Sequence, residues 1–354
     1  MPQGELMAKR FKFGLYQPHL WTLDDAQRWW RACDEAGFDM IGVPDSPVFL
    51  REMFVSATCC VLSTAQARIF TAVTNPVTRH PSVTAAGLIA LNDLAPGRIV
   101  LGIAAGDSAL WTVGLKPAPV AQLREYIVAV KALLRGEAAH WQGQTFSAQW
   151  DKWSPPLDIP IYVACAGPKT LQMAAEVADG VVAYVGFAAD DITRAQRAIA
   201  DGLAAAGRKS DEFDVWWNAQ VFFAPSIEEA KETTLGWSPQ WLTEGTLAGK
   251  GIPEEYHDAL REMNADTHDI DAIYKTPERP RILVERAKRL GLYDWLISRA
   301  PGLWGTPDDV AARFEAYFDA GMSNWTIFVG GNEADRFEFV ETLANQVVPR
   351  LESM

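Results

Sequence analysis

Two consecutive apolar strands, each ending in a polar, turn-forming loop that leads into a helix, constrain this chain most. The first runs into Thr74-Asn-Pro-Val-Thr-Arg-His-Pro81 and the second, Arg98 to Ile103, into Ala104-Ala-Gly-Asp-Ser108. This unit is the repeat of a parallel α/β barrel, whose ligand site lies at the C-terminal ends of its strands. The rhythm predicts strands at Phe11 to Tyr16, Asp39 to Val43, Ile69 to Thr74, Ile99 to Ile103, Ile161 to Cys165, Val181 to Val185, Val215 to Phe223 and Trp325 to Val329. It predicts helices at Asp24 to Ala36, Met53 to Thr64, Pro81 to Leu94, Val120 to Arg135, Lys169 to Ala178, Thr306 to Ala320 and Glu333 to Leu351. Thr22 caps the first helix and Gly37 ends it, while Pro81 suits the first turn of its own helix. Eight strands suit closure. The chain therefore reads as one (β/α)8 TIM-barrel domain over residues 1–354.

Residues 226–300 break the rhythm. They hold Trp237, Trp241, Tyr256, Tyr274 and Trp295 among charged helical stretches without a clear strand, and read as a late helical insertion. Two readings stay open: a lid over the catalytic mouth, or a peripheral helical pair in a dimer interface. His140 to Pro156, with Trp141, Trp150 and Trp153, reads as an irregular crossing of the surface.

A formal net charge of −13 disfavours nucleic acid and anionic lipid as partners and leaves a small-molecule substrate. No apolar run approaches the roughly 20 residues that span a bilayer, and the N-terminal stretch has no apolar signal core, so a cytoplasmic protein is expected. Cys33, Cys59, Cys60 and Cys165 lack Cys-x-x-Cys spacing and read as buried thiols. The five histidines include no His-x-His pair, so no metal centre is expected. Neither a Gly-x-Ser-x-Gly elbow nor a Gly-x-Gly-x-x-Gly turn after the first strand is present.

Chemistry is concentrated at the strand ends. Gly167-Pro168-Lys169 joins the fifth strand to a helix, where free backbone N–H groups, the helix dipole and Lys169 suit a phosphate. Gly106-Asp107-Ser108 brings backbone close to a ligand and adds an acceptor and a hydroxyl. Gln17-Pro18-His19 follows the first strand, and Asp45-Ser46 the second. His19 and Asp45 are the candidate catalytic groups, His19 because imidazole titrates near neutrality. Ser46, Trp111, Trp216 and Trp217 are candidates for the substrate pocket, although alternation allows only one of the last two to face inward.

Thr74-Asn-Pro-Val-Thr-Arg-His-Pro81, Pro96-Gly-Arg-Ile-Val-Leu-Gly-Ile-Ala-Ala-Gly-Asp107, Ala166-Gly-Pro-Lys169 and Ala178-Asp-Gly180 together resemble the bacterial-luciferase-like superfamily. The pattern is most similar to its methylenetetrahydromethanopterin-reductase-like branch, and extends from the first strand to about Gly186 and again over Thr306 to Phe328. The resemblance implies an oxidoreductase that transfers hydride between coenzyme F420 and a small organic substrate. It also implies a bulge with a cis peptide between Ala72 and Val73 behind the cofactor ring, polar groups of Thr74 and Asn75 turned toward that ring, and a phosphate at Ala166 to Lys169. Arg79 and His80 would orient the loop or cap the next helix. Alcohol-oxidising relatives carry histidine where this chain has Ser46, which weighs against that substrate class. Two alternatives accompany this reading: an FMN-dependent monooxygenase using O2 and a separate reductase, and a catalytically silent flavin-binding protein. Relatives also imply a homodimer.

Overall fold

The computed structural model describes residues 10–17, 22–150, 155–234, 247–266, 269, 276, 278–330 and 333–353. Eight parallel strands close into a barrel in sequence order: β1 (Lys12–Tyr16), β2 (Met40–Val43), β3 (Arg68–Thr71), β4 (Ile99–Ile103), β5 (Ile161–Cys165), β6 (Gly180–Ala183), β7 (Asp214–Ala219) and β8 (Asn324–Phe328). β8 closes on β1 with Lys12 opposite Asn324 and Tyr16 opposite Phe328. Between the strands run α1 (Leu23–Glu35), α2 (Met53–Ser63), α3 (Pro81–Leu94), α4 (Val120–Leu134), α5 (Pro168–Val177), α6 (Ala189–Ala205) and α7 (Pro307–Asp319), and α8 (Glu333–Thr342) follows β8. A π-helical turn at Leu343–Val347 and a short helix at Val348–Glu352 divide what reads as one C-terminal helix in the sequence. Among the described residues no helix is long and apolar enough to cross a membrane.

Alternation along each strand builds two cores. Met40, Phe70, Val100, Tyr162, Val182 and Trp216, one each from β2 to β7, fill the barrel interior. Their neighbours Ile41, Ile69, Leu101, Ile161, Val181 and Trp217 face the helices. Burying each large apolar side chain contributes about 1.5 to 3 kcal/mol, which makes the closed interior a rigid base for whatever lies above it.

Local signals set the helix starts. The Thr22 hydroxyl accepts the Asp25 N–H at 3.2 Å while the Asp25 carboxylate accepts the Thr22 N–H at 3.4 Å. Thr306 and Asp309 repeat that reciprocal cap on α7, and His80 caps α3, where Pro81 takes the first turn.

The structure departs from the sequence expectation elsewhere as well, and β3 ends at Thr71 rather than Thr74. Residues 138–147 form a tight hairpin, Ala138–Trp141 against Gln144–Ser147, rather than an irregular crossing. Gln142 and Gly143 turn it with φ of 49° and 75°, the two successive positive values that a two-residue hairpin loop needs. The seventh strand ends at Ala219, because Phe222–Phe223 leaves the barrel to pair with Trp304–Gly305 and bracket the base of the insertion. α6 fills residues that the expected alternation left without an element, burying Ile192, Ala195, Ile199 and Leu203 at helical spacing.

Within residues 226–300 the described part includes the helices Ile227–Thr234, His257–Met263, Arg279–Arg289 and Tyr293–Arg299. It has its own apolar core of Leu260, Met263, Leu283, Val284, Ala287, Leu292 and Leu296, against which Ala166 and Tyr184 pack. Those two residues follow β5 and β6, so the insertion sits at the C-terminal mouth.

Asp34, near the end of α1, accepts the backbone N–H groups of Ala65, Gln66 and Ala67 at 2.7, 3.0 and 2.7 Å, pinning the chain just before β3. Burial works against its charge, but the three N–H groups outweigh it and hold its pKa below the usual carboxylate range. A depressed folded-state pKa gives stability that is present above the unfolded-state value and lost as pH falls through the folded one. Asp34→Asn is therefore expected to lower stability by about 1 to 3 kcal/mol at neutral pH. In urea denaturation, the gap from wild type should shrink as pH is taken below about 4.

Candidate active site

A cavity of about 240 Å³ opens at the C-terminal mouth. Its space follows from side-chain size along the strands. Two positions beyond Phe70 and Tyr162, which help fill the interior, the next inward residues are Ala72 and Ala164, and both line the cavity. Alternation also carries the inward face of β7 from Trp216 to Asn218, which lines the cavity directly across the barrel from β3.

β3 breaks its ladder to reach this cavity. After Ile69 and Phe70 pair with Ile99 and Val100, the Thr71 hydroxyl takes over from the backbone. It donates to the Gly102 carbonyl at 2.5 Å and accepts the Gly102 N–H at 2.9 Å. Gly102 is required there, because a Cβ would lie 2.0 Å from the Thr71 carbonyl oxygen. Pairing resumes when the Thr74 N–H donates to Gly102 at 3.0 Å and Ala104 N–H donates to Thr74 at 2.9 Å. The residues between, Ala72 and Val73, are joined by a cis peptide and line the cavity.

A buried polar network fixes this bulge to the end of β2. The Asp45 carboxylate accepts the Thr74 hydroxyl at 2.7 Å and forms an ion pair with Arg79, which reaches Glu52 at 2.9 Å. Burial opposes the charge on Arg79, but Asp45 and Glu52 outweigh it and raise its pKa above the ordinary guanidinium value. Ser46 and Ser108, from the ends of β2 and β4, meet at 3.3 Å between their hydroxyls. On the far wall, the Asn218 amide donates to the Tyr16 hydroxyl at 2.7 Å and to that of Thr326 at 3.2 Å. Cys165 also lines the cavity, and burial pushes its thiol pKa up, which keeps it protonated.

Of the residues singled out from sequence, Asp45, Ser46, Ala72, Val73, Asp107, Ser108 and Ala166 come together around the cavity. Gly106 holds a φ of 102°, and a Cβ there would fall 2.4 Å from Leu110 Cδ1, so glycine alone allows this loop its path. Gly167 is the N-cap of α5 without a side-chain cap, Pro168 occupies its first turn and Lys169 is exposed, and none of the three lines the cavity, which reaches this turn only as far as Ala166.

Other expectations are corrected. Trp216 and Trp217 are both about 1% exposed, one in the barrel interior below the cavity and the other against the helices, and neither lines it. Trp111 is half-buried and does not line it either. The Thr74 hydroxyl donates to Asp45, and the Asn75 side-chain oxygen accepts the N–H groups of Val77 and Thr78, each at 2.9 Å, while the Asn75 amide nitrogen is buried with no hydrogen-bond partner among the described residues. His19 lies outside the described residues. Tyr16, Asn218 and Thr326 line the cavity without being among the residues that the sequence singles out. Asn218 was reachable from it once Trp216, rather than Trp217, is taken as the inward residue of its strand.

These features define a class: a parallel barrel whose mouth holds a cavity with small residues on one wall and a hydrogen-bonded wall opposite. Residues 6–324 match the family of luciferase-like monooxygenases, and the chain belongs to it. It is 28% identical over 336 residues to a 5,10-methylenetetrahydromethanopterin reductase of Archaeoglobus fulgidus, covering 91% of this chain and 94% of that protein. It is 27% identical over 346 residues to an F420-dependent glucose-6-phosphate dehydrogenase of Beutenbergia cavernae, covering 90% of each. The solved structure of the coenzyme F420-dependent tetrahydromethanopterin reductase from Methanopyrus kandleri superposes with a TM-score of 0.75 at 21% identity, covering 97% of this chain and all of that one.

Arg79→Met would leave the Asp45 carboxylate buried without its cation and should lower stability by about 3 to 5 kcal/mol in chemical denaturation. Adding Asp45→Asn should restore part of that loss, because the pair, not either charge alone, is what the fold tolerates.

Proposed function

We propose that this protein is an F420-dependent oxidoreductase that transfers hydride between the deazaflavin ring and a small organic substrate. The observation that carries the reading is the mouth itself. Ala72, Val73 and Ala104 leave one wall low and apolar, while Asn218, Tyr16 and Thr326 present polar groups across from it. A flat heteroaromatic ring fits between them. Its anionic side chain would run past Ala166 to the start of α5, where Gly167 offers no side-chain cap and Lys169 is exposed. Relatives named for F420 dependence support the choice of cofactor.

When bound, the deazaflavin supplies or accepts the hydride. This chain's own residues do the rest. Ala72 and Val73 support one face, Lys169 and the first turn of α5 hold the phosphate, and Asp45 with Arg79 and Thr74 keeps the supporting bulge in place. Asp45 is thus a positioning residue. Ser46 stands where alcohol-oxidising relatives carry histidine, and its hydroxyl meets that of Ser108, so proton transfer here has no imidazole at that position. The insertion, packed on Ala166 and Tyr184, acts as a lid that limits water at the mouth. The free thiols of Cys33, Cys59, Cys60 and Cys165 suit a reducing cytoplasm.

The same reading includes a homodimer, formed through α2 and α3. α2 has no charged residue and α3 only Asp93, although both lie on the outside of the barrel. Val55, Leu62, Val83 and Leu94 are each more than half exposed, at 55%, 68%, 52% and 51%. A second copy fits this surface, because two chains of net charge −13 can meet there without bringing like charges together. Light scattering on the intact protein should give the mass of two chains, and Leu62→Glu should give that of one.

Ring fluorescence tests the cofactor. Titration should show F420 binding more tightly than FMN. Lys169→Ala should weaken F420 at least several-fold while leaving Fo, the ring fragment without phosphate, nearly unchanged. Preference for FMN would move the function to a monooxygenase supplied by a separate reductase. Equal losses for F420 and Fo would remove Lys169 from the phosphate.

A further inference from the structure

Beside the start of α5 lies a second, smaller cavity of about 20 Å³ that shares Ala166 with the main one. Pro168, Asp191, Arg194, Gly249 and Lys250 line it. Residues 249–251 of the insertion pass directly over this place. Gly249 and Gly251 hold φ of 77° and 63°. A Cβ on Gly249 would lie 2.8 Å from Pro168 Cγ, and one on Gly251 would lie 2.3 Å from the Arg194 guanidinium carbon. The insertion thus touches both the turn and the arginine.

The charges beneath are unevenly satisfied. Arg194 and Arg299 both donate to the same oxygen of Asp191, and Arg299 also donates to the Lys250 carbonyl at 3.1 Å. The other Asp191 oxygen is buried with no hydrogen-bond partner among the described residues. Two guanidinium groups thus share one oxygen of Asp191, beside the N-terminus of α5. The two arginines differ in freedom: the Arg299 side chain is 9% exposed and that of Arg194 is 37% exposed. Arg194 can leave, and Asp191 would then keep Arg299 for both of its oxygens, the geometry a guanidinium prefers.

We propose that Arg194 is a second cation for the anionic tail of the cofactor, exchanging Asp191 for a phosphate or carboxylate group of that tail beyond the reach of Lys169. The inference rests on the F420 reading above and extends it to a residue of α6 and to the insertion segment that lies against it. F420 carries a phosphodiester and glutamyl carboxylates, whereas Fo carries neither, so the two ligands separate tail binding from ring binding.

The test is ring-fluorescence titration of the full-length protein and its Arg194→Gln variant with F420 and with Fo. F420 affinity is expected to fall about tenfold in the variant, the scale of losing one charge-assisted contact. Fo affinity should stay within about twofold, which also shows that the variant is folded, and Arg194→Lys should recover part of the loss. The difference between wild type and variant should shrink at about 0.5 M salt. F420 affinity unchanged by Arg194→Gln, or an equal fall for Fo, overturns the inference while leaving the F420 reading intact. A wild-type protein that binds Fo and F420 equally overturns it as well, and one that binds neither overturns the reading beneath it.

Discussion

The exchange between Thr71 and Gly102 is the contact on which the mouth depends. A regular β3 would continue its backbone ladder with β4 and place Ala72 and Val73 in line with the sheet. Instead the Thr71 side chain occupies both hydrogen-bonding groups of Gly102, and the backbone of Ala72 and Val73 bulges into the cavity before Thr74 rejoins β4. The absence of a Cβ at Gly102 permits the close approach. The Ala72 N–H still donates to Val43 at 2.8 Å, so the bulge stays tied to β2. Asp45, Arg79 and Thr74 then lock it from the loop side. The result is a short stretch of small residues presented to a ligand by three adjacent strands.

Much of this was legible in the residues, and for physical reasons. Thr22, Pro81 and Thr306 mark helix starts by local hydrogen bonding or fixed φ, which act without tertiary context. The two loops after β3 and β4 announced the mouth because polar, turn-forming residues sit at successive strand ends. What stayed hidden was decided by packing. Trp216 and Trp217 carry the same local signal, and only the closed barrel shows which of them faces in and therefore that Asn218 lines the cavity. Thr74 and Asn75 both carry polar groups, and only the fold shows that Asp45 takes the Thr74 hydroxyl and the loop backbone takes the Asn75 side-chain oxygen. The hairpin at residues 138–147 has few β-branched or aromatic residues, so its pairing is set mainly by the Gln142-Gly143 turn.

The site is assembled from segments far apart in sequence, each with a separate physical task. Strand ends supply shape, the first turn of α5 supplies positive potential, and the insertion packs an apolar core of its own on Ala166 and Tyr184 beside the mouth. On the proposed reading, Lys169 and Arg194 are the cations by which a chain of strong negative charge would hold an anionic tail, while on the outside α2 carries no charged residue and α3 only Asp93. This division also separates stability from chemistry. The Asp45–Arg79 pair holds the wall in shape, and the cavity-facing hydroxyls remain to meet a ligand.

A crystal structure of the protein with F420 tests the central claim most directly. The account requires the deazaflavin ring to lean on Ala72 and Val73 with its open face toward Asn218, and the phosphate to lie at the first turn of α5. A ring seated elsewhere, or one lying in the mouth with its tail directed away from Lys169, would contradict it.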